Sequence, residues 1–318
     1  MEGTIGIALE DTDLLADVCG ANDYNLRVME RLFESRVFCK GNELFLENGD
    51  PAAQGLFKEL IERLIESMGE GMPPGPDLII ALHTNLTPEG ASCRDGGGFM
   101  DTCVQIPGGF GKVFPRSRAQ ALYLKGLATH DLTMVVGPAG TGKTYLAVAW
   151  ALHEILTKAR RKLILTRPVV EAGESLGFLP GDLVQKISPY LRPLYDAMEA
   201  LVPYEVVRRL EESRAIEIAP LAYMRGRSLA NCIVILDEAQ NTTKEQMKMF
   251  LTRLGENTRA IVTGDITQID LPRKSESGMA HALKLLQSVE EIFVSRLDAR
   301  DVVRSPLVRK IISAYEAE

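Results

Sequence analysis

The sequence contains little of what an extracellular or membrane-spanning protein needs. Its 318 residues include 5 cysteines, an odd number that forms no C-x-x-C pair. That usage argues against a disulfide framework and fits reduced thiols in a reducing compartment. No apolar run approaches the length of about 20 residues that spans a bilayer, and the first residues lack the basic-then-apolar layout of a signal peptide. We therefore expect a cytoplasmic protein with no membrane segment.

An excess of positive charge is also missing. The chain has 36 Lys and Arg residues against 43 Asp and Glu residues, which gives a formal net charge of -7. This balance excludes a protein coated with basic residues, so any nucleic-acid surface must be a local patch. The length allows two domains. A zinc site made of His83, Cys93 and Cys103 is conceivable but matches no recognised ligand spacing.

Residues 1 to about 70 alternate between short strand and helix patterns, within a predicted domain at 1–84. The predicted order is βααββα, with strands at 4–9, 36–40 and 43–47, helices at 12–18 and 25–33, and a final helix that opens at Pro51. This order resembles an α+β KH RNA-binding domain, in which a G-x-x-G turn clamps the nucleic-acid backbone. Here the turn reads Gly20-Ala21-Asn22-Asp23, so a carboxylate stands where a phosphate would lie. RNA binding and a structural or docking role both remain open.

Residues 85–117 are predicted to be a linker. Gly96, Gly97 and Gly98 lie in a stretch without apolar periodicity. The run Gly108–Gly111 follows no strong strand and has no Lys-Ser/Thr pair, so we interpret it as flexible linker and not as a phosphate loop.

From Arg118 to residue 318 the pattern alternates between apolar runs and helical stretches, which is typical of a parallel α/β sheet. The predicted strands are mostly apolar, as strands buried on both faces are, and they lie at 132–136, 162–166, 216–218, 232–236, 260–263 and 291–295. Ligands of such sheets bind at the carboxyl ends of the strands.

Residues 137–144 read Gly-Pro-Ala-Gly-Thr-Gly-Lys-Thr, a complete match to the phosphate-loop pattern G-x-x-x-x-G-K-[ST]. Glycine lets the backbone turn so that successive N–H groups converge on a phosphate at a helix N-terminus. Lys143 is expected to reach the β and γ phosphates of ATP, and Thr144 to hold Mg²⁺. The expected nucleotide contacts are Gly137, Pro138, Ala139, Gly140, Thr141, Gly142, Lys143, Thr144 and Tyr145.

Two further strands end in polar residues. The strand at 232–236 leads into Asp237 and Glu238, of which Asp237 is expected to hold the hydration shell of Mg²⁺ and Glu238 to polarise the attacking water. The following helix is predicted to start with a capping box of Thr242 and Glu245 and to be closed by Gly255.

The strand at 260–263 leads into Gly-Asp-x-x-Gln, which would bring the amide of Gln268 near the γ phosphate. A glutamine that merely caps a loop is the alternative. A small-molecule kinase on the same phosphate loop is disfavoured by Glu238 and Gln268, which are hydrolase features.

The pairing of Asp-Glu-x-Gln with Gly-Asp-x-x-Gln is the one used by superfamily 1 helicases, and longer runs resemble the PhoH-like protein family, phosphate-loop ATPases related to those helicases. These runs lie at 165–174, 177–182, 224–227 and 301–304. The resemblance implies a RecA-like fold for residues 118–318, Mg²⁺-dependent ATP hydrolysis and a role in RNA metabolism, alongside an rRNA-maturing endoribonuclease. It also implies that Gln120 contacts the adenine edge.

A guanidinium can stabilise the charge of the hydrolysis transition state, and Arg304 is our candidate for catalysis beside Lys143, Glu238 and Gln268. For each arginine near the motifs the alternative is a surface ion pair; these are Arg167, Arg225, Arg227, Arg300 and Arg304. About 200 residues suffice for one RecA-like lobe. We therefore expect a homo-oligomer, a hexameric ring, in which a second subunit completes the site. The alternative function is a nucleotide-dependent scaffold or switch.

Overall fold

A computed structural model describes residues 4–47, 50–69, 72–87, 102–169, 183–273 and 276–302. The chain divides into two compact units. One comprises Met1–Gln105 with Gly111–Ala121, and the other comprises Ile106–Phe110 with Leu122–Glu318. Each unit has a hydrophobic core of its own.

The N-terminal unit contains a three-stranded antiparallel sheet of order β1-β3-β2. Its elements are β1 (Ile5–Ala8), α1 (Thr12–Cys19), α2 (Tyr24–Phe33), β2 (Val37–Lys40), β3 (Glu43–Leu46), α3 (Pro51–Gly69) and α4 (Pro76–Leu86). Leu44 and Leu46 of the central strand are fully buried, and helix α3 packs Leu60 and Leu64 into the same core. The predicted βααββα order is confirmed from β1 to α3, with α4 as an additional helix, and the α+β class is confirmed.

A short hairpin follows, formed by β4 (Val104–Ile106) and β5 (Gly111–Val113). Three glycines in and beside its turn have positive φ, 91° at Gly108, 81° at Gly109 and 98° at Gly111. Glycine takes these angles without a steric cost. The chain therefore folds back on itself where the sequence analysis interpreted the glycines as flexible linker.

The C-terminal unit is built on a six-stranded parallel sheet of order β11-β6-β10-β9-β7-β8. Its elements are α5 (Arg118–Thr129, which begins in the N-terminal unit), β6 (Leu132–Val136), α6 (Lys143–Leu156), β7 (Leu163–Arg167), α7 (Leu183–Glu199), α8 (Tyr204–Glu212), β8 (Ile216–Pro220), β9 (Ile233–Leu236), α9 (Lys244–Leu251), β10 (Arg259–Gly264), α10 (Gly278–Leu286) and β11 (Ile292–Arg296). Strands β6 and β9 are buried at every residue. The strand order is RecA-like, which confirms the predicted fold class.

The position of β10 in this sheet determines the geometry of the site. It lies between β6, which leads into residues 137–144, and β9, which leads into Asp237. Because parallel strands end at the same edge of the sheet, the segments that follow all three strands meet there.

The capping box of α9 was predicted one residue too early. Thr243 accepts a hydrogen bond from Gln246 N at 3.2 Å, and the Gln246 side chain accepts one from Thr243 N at 2.9 Å. Thr242 is instead fully buried, and its hydroxyl donates to Ala239 O at 2.7 Å. That bond closes a short 3-10 turn and moves the helix start along by one residue.

The end of α9 also differs from the prediction. The helix ends at Leu251, and Gly255 lies beyond it, where its N–H donates to Leu229 O at 2.7 Å. Cys93 of the conceivable zinc site lies outside the described residues, and within those residues no group of three His, Cys, Asp or Glu side chains could hold a metal ion. No helix in the described part of the chain has the length and apolar character needed to cross a membrane.

Candidate nucleotide-binding site

The loop between β6 and α6 depends on its glycines for two different reasons. Gly140 and Gly142 have φ of 84° and 80°, which glycine adopts readily, and Gly142 is the N-cap of α6. Gly137 is required by close packing instead, because a Cβ there would lie 2.7 Å from the backbone oxygen of Leu297. Its N–H donates to Gly264 O at 3.2 Å.

Lys143 folds back over this loop. Its ammonium donates to Gly137 O at 2.7 Å and to Pro138 O at 2.8 Å. Burial lowers the pKa of Lys143, and three carboxylates oppose that shift; they belong to Asp265, Glu238 and Asp237. The ammonium is thus surrounded by acceptors that a bound phosphate could replace. Thr141 is fully buried and braces the loop by donating to Pro138 O at 2.9 Å.

Asp237 joins three segments of the chain through one carboxylate oxygen. Thr144 donates its hydroxyl to Asp237 Oδ1 at 2.7 Å, and Thr263 of β10 donates to the same atom at 2.6 Å. Asp237 is only 5% exposed. The hydroxyl and carboxylate oxygens at this point are the ligand type that Mg²⁺ prefers, so their chemistry fits that ion.

Glu238 has an unusual backbone. Its φ of 52° and ψ of 38° lie in the left-handed region, which is uncommon for a residue with a long side chain. Its carboxylate is held on both oxygens, since Arg167 approaches Oε1 at 3.1 Å and the amide of Gln240 donates to Oε2. Surrounding contacts must hold this conformation in place.

Gln240 links the two acidic loops. Its Oε1 accepts from Asp265 N at 3.0 Å, and its Nε2 donates to Gln268 O at 3.2 Å as well as to Glu238. The residue is 1% exposed. A Cβ at Gly264 would lie 2.7 Å from Gln240 Oε1, so this glycine leaves room for the amide. Gln240 is the Gln of the Asp-Glu-x-Gln motif and was not among the predicted site residues.

Asp265 is a buried carboxylate at the same edge of the sheet. It is 5% exposed, and Oδ1 accepts from the N–H of Thr267 at 2.9 Å and from its hydroxyl at 2.6 Å. Among the described residues, Oδ2 has no hydrogen-bond partner. Asp265 is the Asp of the Gly-Asp-x-x-Gln motif and was not among the predicted site residues.

Tyr123 of α5 supports the start of α6. Its hydroxyl donates to Lys143 O at 3.2 Å, and the side chain is fully buried. Burial raises the pKa of Tyr123, with Asp237 adding to the effect, so the phenol stays protonated as a donor. Sequence reasoning missed this residue, because nothing in its helical pattern distinguishes it from an ordinary core tyrosine.

The segments enclose a cavity of about 270 Å³. Most of the predicted site residues line it, together with Gly264 and Asp265: Ala139, Gly140, Gly142, Lys143, Thr144, Tyr145, Asp237, Glu238 and Gln268. Gln268 is exposed, whereas Asp237 and Asp265 are buried. The structure therefore brings together the phosphate-loop lysine, the Thr144 hydroxyl and Asp237 carboxylate that could bind a metal ion, and two further acidic residues, Glu238 and Asp265.

Other predicted residues are not in this group. Arg304 lies outside the described residues, as does the side chain of Arg300. Gln120 belongs to the N-terminal unit, where its buried Oε1 accepts from Arg116 N at 2.6 Å, and its contact with adenine stays a prediction. Arg225 is exposed.

Arg227 forms an ion pair with Glu217 outside the cavity. The guanidinium bonds both carboxylate oxygens, at 2.5 and 3.0 Å, and Lys162 approaches Oε2 at 2.7 Å. Hydrogen bonding from Arg227, with a smaller contribution from Lys162, lowers the pKa of Glu217 to about 2. Arg227 therefore forms an ion pair of the kind that was the alternative to a catalytic role for each arginine.

Known proteins are similar to this chain in sequence. A family model described as "PhoH-like protein" matches residues 112–316. A PhoH-like protein of Mycobacterium bovis is 43% identical over 304 residues, which cover 95% of this chain and 85% of the relative. A PhoH-like protein of Bacillus subtilis is 42% identical over 311 residues, which cover 98% of this chain and 96% of the relative.

Among solved structures, the Pyrococcus furiosus Hef helicase domain is similar over 58% of this chain and 38% of that one, with 15% identity and a TM-score of 0.36. A score this low supports no argument about function. The family model covers more than half of the chain, and the relatives are similar along nearly all of it, so the resemblance seen in the sequence is confirmed. The chain belongs to the PhoH-like protein family.

Proposed function

We propose that this protein binds ATP at residues 137–144 and hydrolyses it with Mg²⁺. The observation that carries the proposal is the bond of 2.7 Å between the Thr144 hydroxyl and Asp237 Oδ1. It joins the first turn of α6 to the carboxylate that follows β9, as a shared site for a metal ion requires. Bound Mg²⁺ would neutralise charge on the phosphate oxygens.

The side chains have separate roles in this proposal. Lys143 leaves the carbonyls of Gly137 and Pro138 and binds the β and γ phosphates, while the N-terminus of α6 adds its dipole. Thr144 and Asp237 hold the metal. Glu238 polarises the attacking water. Gln268 senses the γ phosphate from the exposed mouth of the cavity.

The cellular role that we propose is RNA metabolism in the cytoplasm, as a helicase or remodelling activity that works with an rRNA-maturing endoribonuclease. The KH-like order of the N-terminal unit supports it, together with the helicase-type pairing of the loops that contain Gln240 and Gln268. We also propose a homo-oligomer, a hexameric ring, because the described residues of the C-terminal unit form one six-stranded sheet, and a second subunit would supply the other wall and an arginine such as Arg304.

Glu238→Gln tests the hydrolysis step. We expect the variant to bind ATP with the parent affinity and to lose roughly 100-fold or more in turnover, since general-base catalysis contributes about that much. Turnover is measured by phosphate release and binding by titration calorimetry. Glu290→Gln, at an exposed position before β11, is the matched control. Turnover of Glu238→Gln at the parent rate would show that the base is assigned wrongly.

A nucleotide-dependent scaffold or switch is the second candidate. It is favoured by Asp23, which occupies the place of the second glycine of a G-x-x-G turn and puts negative charge there. ATPase measured with and without RNA and single-stranded DNA, at two salt concentrations, separates the two. RNA stimulation of the ATPase rate that weakens at higher salt supports a function on RNA. An ATPase rate that RNA does not stimulate, together with ATP-dependent assembly in light scattering, supports the scaffold. A monomer at full activity would contradict the ring.

A further inference from the structure

Arg167 lies between the carboxylate of Glu238 and helix α7. One guanidinium nitrogen is 3.1 Å from Glu238 Oε1, and the other terminal nitrogen donates to Tyr190 O at 3.3 Å. The Arg167 side chain is 20% exposed. The guanidinium is thus fixed at both ends, and a planar group with a rigid fork of donors holds an acceptor better than a flexible ammonium does.

The sheet fixes where this arginine can reach. Strands β7 and β9 are neighbours, with Thr166 paired to Leu236, and Asp237 N donates to Thr166 O at 2.9 Å. Arg167, the last residue of β7, therefore stands beside the Asp237–Glu238 turn at the carboxyl edge. It does not line the cavity, so its described contact with the site is made through Glu238.

The carboxylate of Glu238 has little freedom as a result. Arg167 occupies one oxygen and the buried amide of Gln240 the other. A carboxylate offers about four acceptor positions, so the ion pair with Arg167 and the hydrogen bond from Gln240 restrict its orientation and still leave acceptor capacity for a water. Without Arg167, the long side chain would regain rotamers that point away from the cavity.

We propose that Arg167 is a positioning residue for water activation: it holds the Glu238 carboxylate in the orientation in which it can polarise the attacking water. The inference rests on the proposed hydrolysis and gives Arg167 a role different from a transition-state arginine, which would contact the phosphate itself. A positioning residue acts on turnover only through Glu238. Removal of the Arg167 side chain should therefore lower the turnover rate when Glu238 is present. It should leave the residual rate unchanged when the Glu238 carboxylate has been replaced.

The test is a double-mutant cycle between Arg167→Ala and Glu238→Gln, with single-turnover ATP hydrolysis and ATP binding as readouts. Alone, Arg167→Ala should lower kcat roughly 10- to 100-fold, because a misplaced catalytic group costs about that much, and should leave KM and the ATP dissociation constant within about 2-fold. In the Glu238→Gln background it should change the residual rate by less than about 2-fold. Arg167→Lys should recover part of the rate, since it keeps the charge but loses the fork.

Controls separate this role from a structural one. Arg227→Ala removes an arginine that is also ion-paired but lies outside the cavity, and it should leave kcat unchanged. If Arg167→Ala fails to fold, Arg167→Gln is measured in the same cycle. An equal loss of rate in both backgrounds, or weaker binding of a transition-state analogue by Arg167→Ala in the Glu238→Gln background, would overturn the proposal in favour of direct contact with phosphate. Parent turnover by Glu238→Gln would also overturn the proposal, because Glu238 would then not be the base, whereas a parent protein that hydrolyses no ATP would refute the proposed function itself.

Discussion

Each unit contains a glycine turn that leads into a helix, and the two turns differ in what surrounds their backbone. The turn before α2 has positive φ at Gly20 (71°), Asn22 (53°) and Asp23 (56°). The N–H groups of Gly20 and Asp23 donate to backbone carbonyls nearby, Ala16 O and Gly20 O. The space above Gly20 is filled by the Asn25 amide, which donates to Val18 O at 3.1 Å.

The turn before α6 has the same glycine-like backbone but a different surrounding. Gly140 and Gly142 line a cavity, and the positively charged Lys143 lines it as well. A turn with positive φ is therefore not enough to predict a phosphate site. Positive charge and open space beside the helix N-terminus decide between an anion site and a packed structural turn.

The largest expected effect comes from the turn before α6. Lys143→Ala should weaken ATP binding by roughly 100-fold or abolish it, because a charged hydrogen bond contributes about 1.5–3 kcal/mol and Lys143 is expected to bond two phosphates. Titration calorimetry with ATP and Mg²⁺ measures it. Lys244→Ala, an exposed lysine at the start of α9, serves as control. An unchanged ATP affinity in Lys143→Ala would contradict the inference that the charge of Lys143 distinguishes the turn before α6 from the turn before α2.

An intermediate effect is expected on stability at the other turn. Gly20→Ala should destabilise the N-terminal unit by about 1–3 kcal/mol, because φ of 71° is strained for alanine and its Cβ would lie 2.7 Å from Asn25 Nδ2. Hydrogen exchange of amides in α1 and α2 measures the loss, and ATP affinity should not change. Gly41→Ala, also at positive φ (66°) but with nothing within 4 Å of its added Cβ, isolates the backbone part. Equal losses of stability in Gly20→Ala and Gly41→Ala would show that close packing around Gly20 adds nothing to the backbone strain.

The smallest effect is expected from restoring a G-x-x-G pattern with Asp23→Gly. Glycine accepts the φ of 56° at this position, and the change removes one carboxylate. Single-stranded RNA should bind about 2- to 5-fold more tightly at low salt, as expected for one exposed charge. Fluorescence anisotropy at two salt concentrations measures it. Asp17→Asn, which removes an exposed charge from α1, should do less; an equal gain would mean that only net charge matters.

The sequence predicted the sheet well, because apolar runs such as those of β6 and β9 are buried on both faces and carry a clear signal. It also predicted that the segments after β6, β9 and β10 lie together, since parallel strands end at one edge of the sheet. It could not predict contacts that depend on packing between distant segments. Gly137 is needed because Leu297 passes within 2.7 Å of its missing Cβ, and no local pattern contains that fact.

Hydrogen-bond competition explains the other differences. The two threonines before α9 are equally good N-caps by composition, and the choice of Thr243 follows from the Thr242 hydroxyl donating to Ala239 O. Gln240 and Tyr123 likewise bond partners far along the chain, Asp265 N and Lys143 O. Such long-range partners become visible only once the fold places them side by side.

Under the proposed mechanism, the left-handed backbone of Glu238 means that folding and catalysis favour different residues at this position. Glycine or asparagine would adopt φ of 52° more easily than glutamate does, yet neither carries a carboxylate. Selection for thermal stability alone would therefore favour replacing the residue to which we assign water activation. If a stabilised variant of this protein loses activity, a substitution at position 238 is the first explanation to examine.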